Sequence, residues 1–200
     1  MTKVLQHTRT NQNVLNALRN ESVRRLIKHL KIHSVETYAH SLNVAAISAY
    51  IANQMSVSEV DKKTIVIGAL LHDVGKMSVP KKILDKPKKL NPKEAAGMAM
   101  HSQISYLMAK NFFNKQIQEI CLYHHEKLDG SGYPDGIKKI PLFCQIVTVA
   151  DMYESMVASR VYKKPVTHEE AMIELEKEKL QGRINSEVVE IIRISNLLKQ

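Results

Sequence analysis

The sequence predicts an all-α protein, a single-domain helical bundle. Three observations carry that expectation. Apolar residues recur at spacings of three and four along nearly the whole chain. Capping residues and prolines stand where those periodic runs begin. No pair of alternating segments reads as a hairpin; residues 145–150 are rich in β-branched side chains, but their length and flanks favour helix.

Taken in order, Val14, Leu15, Leu18, Val23, Leu26, Ile27 and Leu30 mark one or two amphipathic helices, with a junction at His33 and Ser34. A second run carries Tyr38, Leu42, Ala45, Ala46, Ala49 and Met55. Ser58 or Asp61 caps the next helix, which passes through Ile65, Ile67, Ala69 and Leu70 into His72. Gly75 and Pro80 then punctuate the chain. Residues 80–94 form a basic connection. The helix after Asn91-Pro92 is expected to carry His101, since proline suits a first helical turn. A helix from about Gln116 reaches His124 and His125. Residues 129–136 contain three glycines and a proline and read as a loop. Residues 141–158 form an apolar helix bearing Asp151. Thr167 caps an acidic helix with Glu170 in capping-box position, and a helix over residues 184–198 closes the chain.

The chain has 200 residues, a length that suits one domain or one plus a short appendage. We divide it into an N-terminal helical extension over residues 1–32 and a main domain over residues 33–200. It is 44% apolar and 24% charged, which excludes wholesale disorder. The longest apolar run, residues 65–71, is too short to span a bilayer, so no membrane association is expected. Residues 1–13 lack the apolar stretch of a secretory signal, and two cysteines make no disulfide framework. Both points suggest the cytoplasm. The net charge of +9 favours an anionic partner. Aromatics are only 5%, too few for a single-strand stacking platform, and the lysine run has no interleaved aromatics, so nucleic acid is an unlikely partner.

The unusual number is nine histidines. His40, His72-Asp73, His101, His124-His125 and Asp151 fall once each on five successive predicted helices, with Glu36 one turn before His40. Mixed imidazole and carboxylate donors suit Mn, Fe or Zn, and of these Fe or Mn are expected. Eight candidates exceed one ion's demand. A carboxylate between two histidine groups can bridge two ions, which together clamp an attacking hydroxide and a phosphate oxygen. His7, His29, His33 and His168 are assigned no role.

The series is embedded in longer motifs: Leu-Leu-His-Asp-Val-Gly-Lys at 70–76, His-His-Glu-Lys-Leu-Asp-Gly-Ser-Gly-Tyr-Pro at 124–134, Ile-Pro-Leu at 140–142 and Val-Ala-Asp at 149–151. Through these it resembles the HD-GYP family of the HD phosphohydrolase superfamily, over roughly residues 33–188. The resemblance implies an HD-type helical bundle with a Gly-Tyr-Pro loop. It also implies a metal-dependent phosphodiesterase that hydrolyses cyclic di-GMP to linear pGpG, and on to GMP, through a metal-bridging hydroxide. By matching positions, His40, His72, Asp73, His101, His124, His125 and Asp151 are metal ligands, with Asp73 bridging. Glu36 matches the ligand of a third ion in some members, so two or three ions are expected. Lys76 matches a lysine beside the scissile phosphate. Arg160 and Lys163 match phosphate-contacting positions, which suit a guanidinium fork and an ammonium point charge. Gly132, Tyr133 and Pro134 shape the substrate pocket. In the family this loop is also linked to contacts with diguanylate cyclase domains.

The chain departs from the family pattern at four places. Asn43 replaces a usual arginine, Lys127-Leu128 replaces Arg-Trp, Glu154-Ser155 replaces Asp-Ala, and Ile184-Asn185-Ser186 replaces Phe-Asp-Pro. No ligand is lost, but pocket support and substrate preference are altered. Rival readings keep the metals with another nucleotide, such as cyclic GMP-AMP or pGpG, or make the chain a weakly active dinucleotide-binding adaptor.

Overall fold

The computed structural model of the chain describes residues 8–158 and 165–195. The expected N-terminal helicity resolves into two helices, α1 (Thr8–Leu18) and α2 (Glu21–His33), because Asn20 takes extended backbone and its side chain caps the Val23 amide. Ser34 ends α2 and caps α3 (Val35–Gln54) through the Thr37 amide. Ser58, not Asp61, caps α4 (Glu59–Leu71). A 3-10 turn follows at Val74–Ser78, then the short α5 (Lys81–Leu84) inside the basic connection. Asn91 and Glu94 form a capping box at α6 (Pro92–Ala99).

The single helix expected to carry His101 is two. α6 stops at Ala99 and α7 runs His101–Ala109. The cause is local: the His101 ring donates to the Met98 carbonyl and the Ser102 hydroxyl to the Ala99 carbonyl, so side chains compete for the helix's own acceptors. α8 (Lys115–Tyr123) is capped by Asn114, α9 (Leu142–Val157) follows Pro141, α10 (His168–Leu180) has its Thr167–Glu170 capping box, and α11 (Ser186–Arg193) is capped by Asn185. No strand occurs among the described residues.

α3 is the central element. It packs on α4, α9, α1 and α2, and both faces are buried, from Val44 through Ala52. Seven consecutive residues of α4, Ile65 to Leu71, are also buried, so this helix ends deep in the core. α8 crosses α4 closely at Gly68, where an added Cβ would lie 2.3 Å from Ile120 Cδ1. Val14, Ala17, Val23, Ile27 and Leu30 of α1 and α2 belong to the same hydrophobic core as the rest. No described helix is long and apolar enough to cross a membrane.

Candidate metal centre

Five helices aim their polar ends or faces at one buried point. α3 supplies His40, and α4 ends at His72, with Asp73 opening the 3-10 turn. α7 begins at His101, α8 ends into His124 and His125, and α9 carries Asp151. Gly75 lets the turn touch α7: a Cβ there would sit 2.1 Å from the His101 carbonyl oxygen. The Gly75 amide instead donates to Ser105 Oγ at 2.8 Å.

His40, His72, Asp73, His101, His124 and Asp151 are buried and His125 is half-buried. Asp73 is central. Its Oδ2 lies 3.3 Å from His72 Nε2 and 3.5 Å from His40 Nε2, while Oδ1 lies 3.2 Å from His101 Nε2. Asp151 Oδ1 is 2.9 Å from His40 Nε2 and 3.9 Å from His72 Nε2. His101 Nε2 is 3.2 Å from both His124 Nε2 and His125 Nε2.

The ring orientations decide what this cluster can hold. Nδ1 of His72, His101 and His124 donates to the main-chain carbonyls of Ala69, Met98 and Cys121 at 2.7, 2.7 and 3.0 Å. A carbonyl only accepts, so the proton is on Nδ1 and each Nε2 presents a lone pair inward. Lone pairs facing lone pairs and carboxylates repel. His72 Nε2 and Asp73 Oδ1 are buried without a hydrogen-bond partner, a costly arrangement in a folded core. Cations relieve both. Three ligand-spaced groups lie within reach: His40, His72 and Asp151; His101, His124 and His125; and His72, Asp73 and His124. The donor set fits divalent metal ions.

Protonation agrees. Burial, joined by repulsion from the neighbouring histidines, holds His124 well below its usual range. Burial also pushes His125 down to about 3 against the pull of Asp151. Burial opposes ionisation of Asp73, but His72 and Lys76 outweigh it and hold the carboxyl low. His124 and His125 thus rest as neutral imidazoles beside a charged Asp73 carboxylate. His40 is the exception: burial disfavours its charge, yet Asp151 and Glu154 raise it to about 9.

At the rim, half-buried Lys76 donates to Asp73 Oδ2 at 2.6 Å. Tyr133 is 37% exposed and stacks on His125, ring centroids 4.6 Å apart. Gly132 passes under it, where a Cβ would meet Glu126 Cα at 2.4 Å. The peptide between Tyr133 and Pro134 is cis. Glu36 is exposed and belongs to none of the ligand-spaced groups. Arg160 and Lys163 lie outside the described residues. His29 is exposed, and His168 bonds the Tyr153 hydroxyl at 2.9 Å.

Two supporting acids escaped sequence reasoning. Glu126 is fully buried, and its Oε1 accepts the amides of Asp135 and Gly136 at 2.7 and 3.0 Å, tying the loop to the residue after His125. Glu154, 2% exposed, accepts from His40 Nδ1 at one oxygen and from Asn43 Nδ2, at 2.8 Å, at the other. Its place three residues after Asp151, on one helix face, was the available signal.

Comparison with known proteins agrees with this geometry. The HD domain family model matches residues 6–188. A cyclic di-GMP phosphodiesterase of Thermotoga maritima is 43% identical over 162 residues, 78% of this chain and 44% of the relative. A 3'3'-cGAMP-specific phosphodiesterase 1 of Vibrio cholerae is 33% identical over 159 residues, 78% of this chain and 37% of the relative. The chain therefore spans less than half the length of these curated relatives. The solved HD domain of the Listeria monocytogenes phosphodiesterase PgpH, in complex with cyclic-di-AMP, superposes with a TM-score of 0.66 at 20% identity, over 84% of this chain and 92% of that one. The chain belongs to the HD domain family, in its HD-GYP branch.

Proposed function

We propose that this chain hydrolyses a phosphodiester bond of a cyclic dinucleotide, with cyclic di-GMP the first choice. The observation that carries the reading is the inward convergence of five imidazoles and two carboxylates beside the Lys76 ammonium. In this reading His40, His72 and Asp151 would hold one divalent ion, His101, His124 and His125 would hold a second, and Asp73 would serve both. Two ions suffice for these groups; Glu36, exposed, is left out. Nitrogen and oxygen donors without thiolate favour Mn or Fe. When bound, such ions supply Lewis acidity and an acidified water at neutral pH.

The chain's own residues do the rest. Water adds to phosphorus in line and gives up one proton, the bond from phosphorus to the 3'-oxygen breaks, and that oxygen takes up one proton, giving linear pGpG. Lys76 stabilises charge on the phosphoryl or leaving oxygen and supplies the proton that the 3'-oxygen needs. Asp73, in contact with Lys76, keeps that ammonium at the rim. Tyr133, stacked on His125, closes one wall. Arg160 and Lys163, which match phosphate-contacting positions of the family, would contact substrate phosphate. Two free, buried cysteines fit the cytoplasmic compartment this reading assumes.

Cyclic GMP-AMP is the second reading, favoured by the Vibrio cholerae relative. A substrate panel at equal Mn loading separates the two. Cyclic di-GMP is expected to show the highest kcat/KM among cyclic di-GMP, cyclic GMP-AMP and pGpG. A tenfold preference for cyclic GMP-AMP would replace the first choice, and tight binding without turnover would leave only an adaptor.

A further inference from the structure

His40 differs from His72, His101 and His124 in what orients it. His72, His101 and His124 are fixed by main-chain carbonyls, which no side-chain substitution removes. The His40 ring is fixed by a side chain: its Nδ1 donates to Glu154 Oε2. Glu154 is 2% exposed, and its other oxygen takes the Asn43 amide at 2.8 Å. Asn43 and His40 are one turn apart on α3, and Glu154 faces both from α9. Both carboxylate oxygens are therefore engaged within one rigid helix pair.

We infer that Glu154 is a positioning residue: it holds His40 as an Nε2 ligand and, braced by Asn43, sets the affinity of the ion bound by His40, His72 and Asp151 far more than that of the other ion. A carboxylate on the far nitrogen fixes the tautomer, aims the ring and raises its basicity, and losing such a partner typically costs about 10–100-fold in metal affinity. Among the described contacts His101 and His125 reach Glu154 only through Asp73 or Asp151 and then His40, so their ion should respond far less. The inference rests on the two-ion reading.

The test is Mn titration of the full chain by calorimetry, with manganese counted per chain, for the unsubstituted protein, Glu154→Gln and Asn43→Ala. Glutamine keeps the shape and an acceptor for His40 but removes the charge. The expected result is two ions in the unsubstituted protein. In Glu154→Gln one should weaken by about 10–100-fold, with the other unchanged within twofold. Asn43→Ala leaves the His40–Glu154 bond in place and should weaken the same ion by less. If Glu154→Gln does not fold, Asn43→Ala carries the test alone. Equal weakening of both ions, or of neither, overturns the positioning role. Absence of bound manganese in the unsubstituted protein would instead overturn the two-ion reading.

Discussion

His72, His101 and His124 share one device: Nδ1 is tied to a carbonyl of the preceding helical turn, and Nε2 is left aimed at Asp73 and its neighbours. The cluster's members were legible in the sequence: residue type and order, once each on successive helices, singled them out, and the family resemblance supplied their reading as ligands. The supports were not legible. A sequence gives Glu126 and Glu154 as two acids among 20 acidic residues, and only packing shows them buried and bonded. Asn43 and Glu154, two separate departures from the family pattern, turn out to be the ends of one hydrogen bond, a short donor meeting a long acceptor. In the proposed reading Lys76 acts on the reacting phosphate rather than on metal retention. Lys76→Met is expected to lower kcat by about 10²–10³-fold while manganese per chain stays unchanged, as measured by steady-state kinetics and metal analysis.

At the scale of elements, helix ends place the chemistry. α4 and α8 both terminate in residues of the cluster, and α7 begins with one. Asn114 went unread as a cap, whereas the capping signals at Ser58 and Thr167 and the helix start at Asn91-Pro92 were readable. The break between α6 and α7 was not, because it depends on which carbonyls the His101 and Ser102 side chains take. The closest approach of the turn to α7 is at Gly75. Gly75→Ala presses a methyl against backbone that cannot rotate away. It is expected to destabilise the fold by about 1–3 kcal/mol and to loosen the ion held by His101, read by thermal unfolding with and without manganese. Gly68→Ala meets Ile120 at Cδ1, 2.3 Å away, and also at Cβ and Cγ2, both 2.9 Å away, so it should press α4 off α8. In the loop, Glu126→Ala leaves two amides without their acceptor. Faster hydrogen exchange at Asp135 and Gly136 is the expected sign, with burial of the loop against His125 reduced.

At the scale of the whole molecule, the N-terminal helices are built into the core rather than appended to it. Periodicity showed that residues 14–32 are amphipathic but not what their apolar face meets. Val23, Ile27 and Leu30 are buried. Each contributes roughly 1.5–3 kcal/mol by burial, against a net stability of about 5–15 kcal/mol for an ordinary domain. Residues 33–200 alone are accordingly expected to give no cooperative thermal transition, whereas the full chain gives one. Metal and fold are linked in the same way, since ligands converge only in the folded state. Manganese at a hundredfold excess over its dissociation constant should stabilise the protein by about 2.7 kcal/mol per ion, and chelation should reverse the shift.

The most direct measurement is product analysis after incubating manganese-loaded protein with cyclic di-GMP, beside the double substitution His72→Ala, Asp73→Ala at equal protein concentration. The expected result is stoichiometric conversion to pGpG by the unsubstituted protein and none by the double variant. Intact cyclic di-GMP in both reactions, or equal cleavage in both, would contradict a phosphodiesterase built on this cluster.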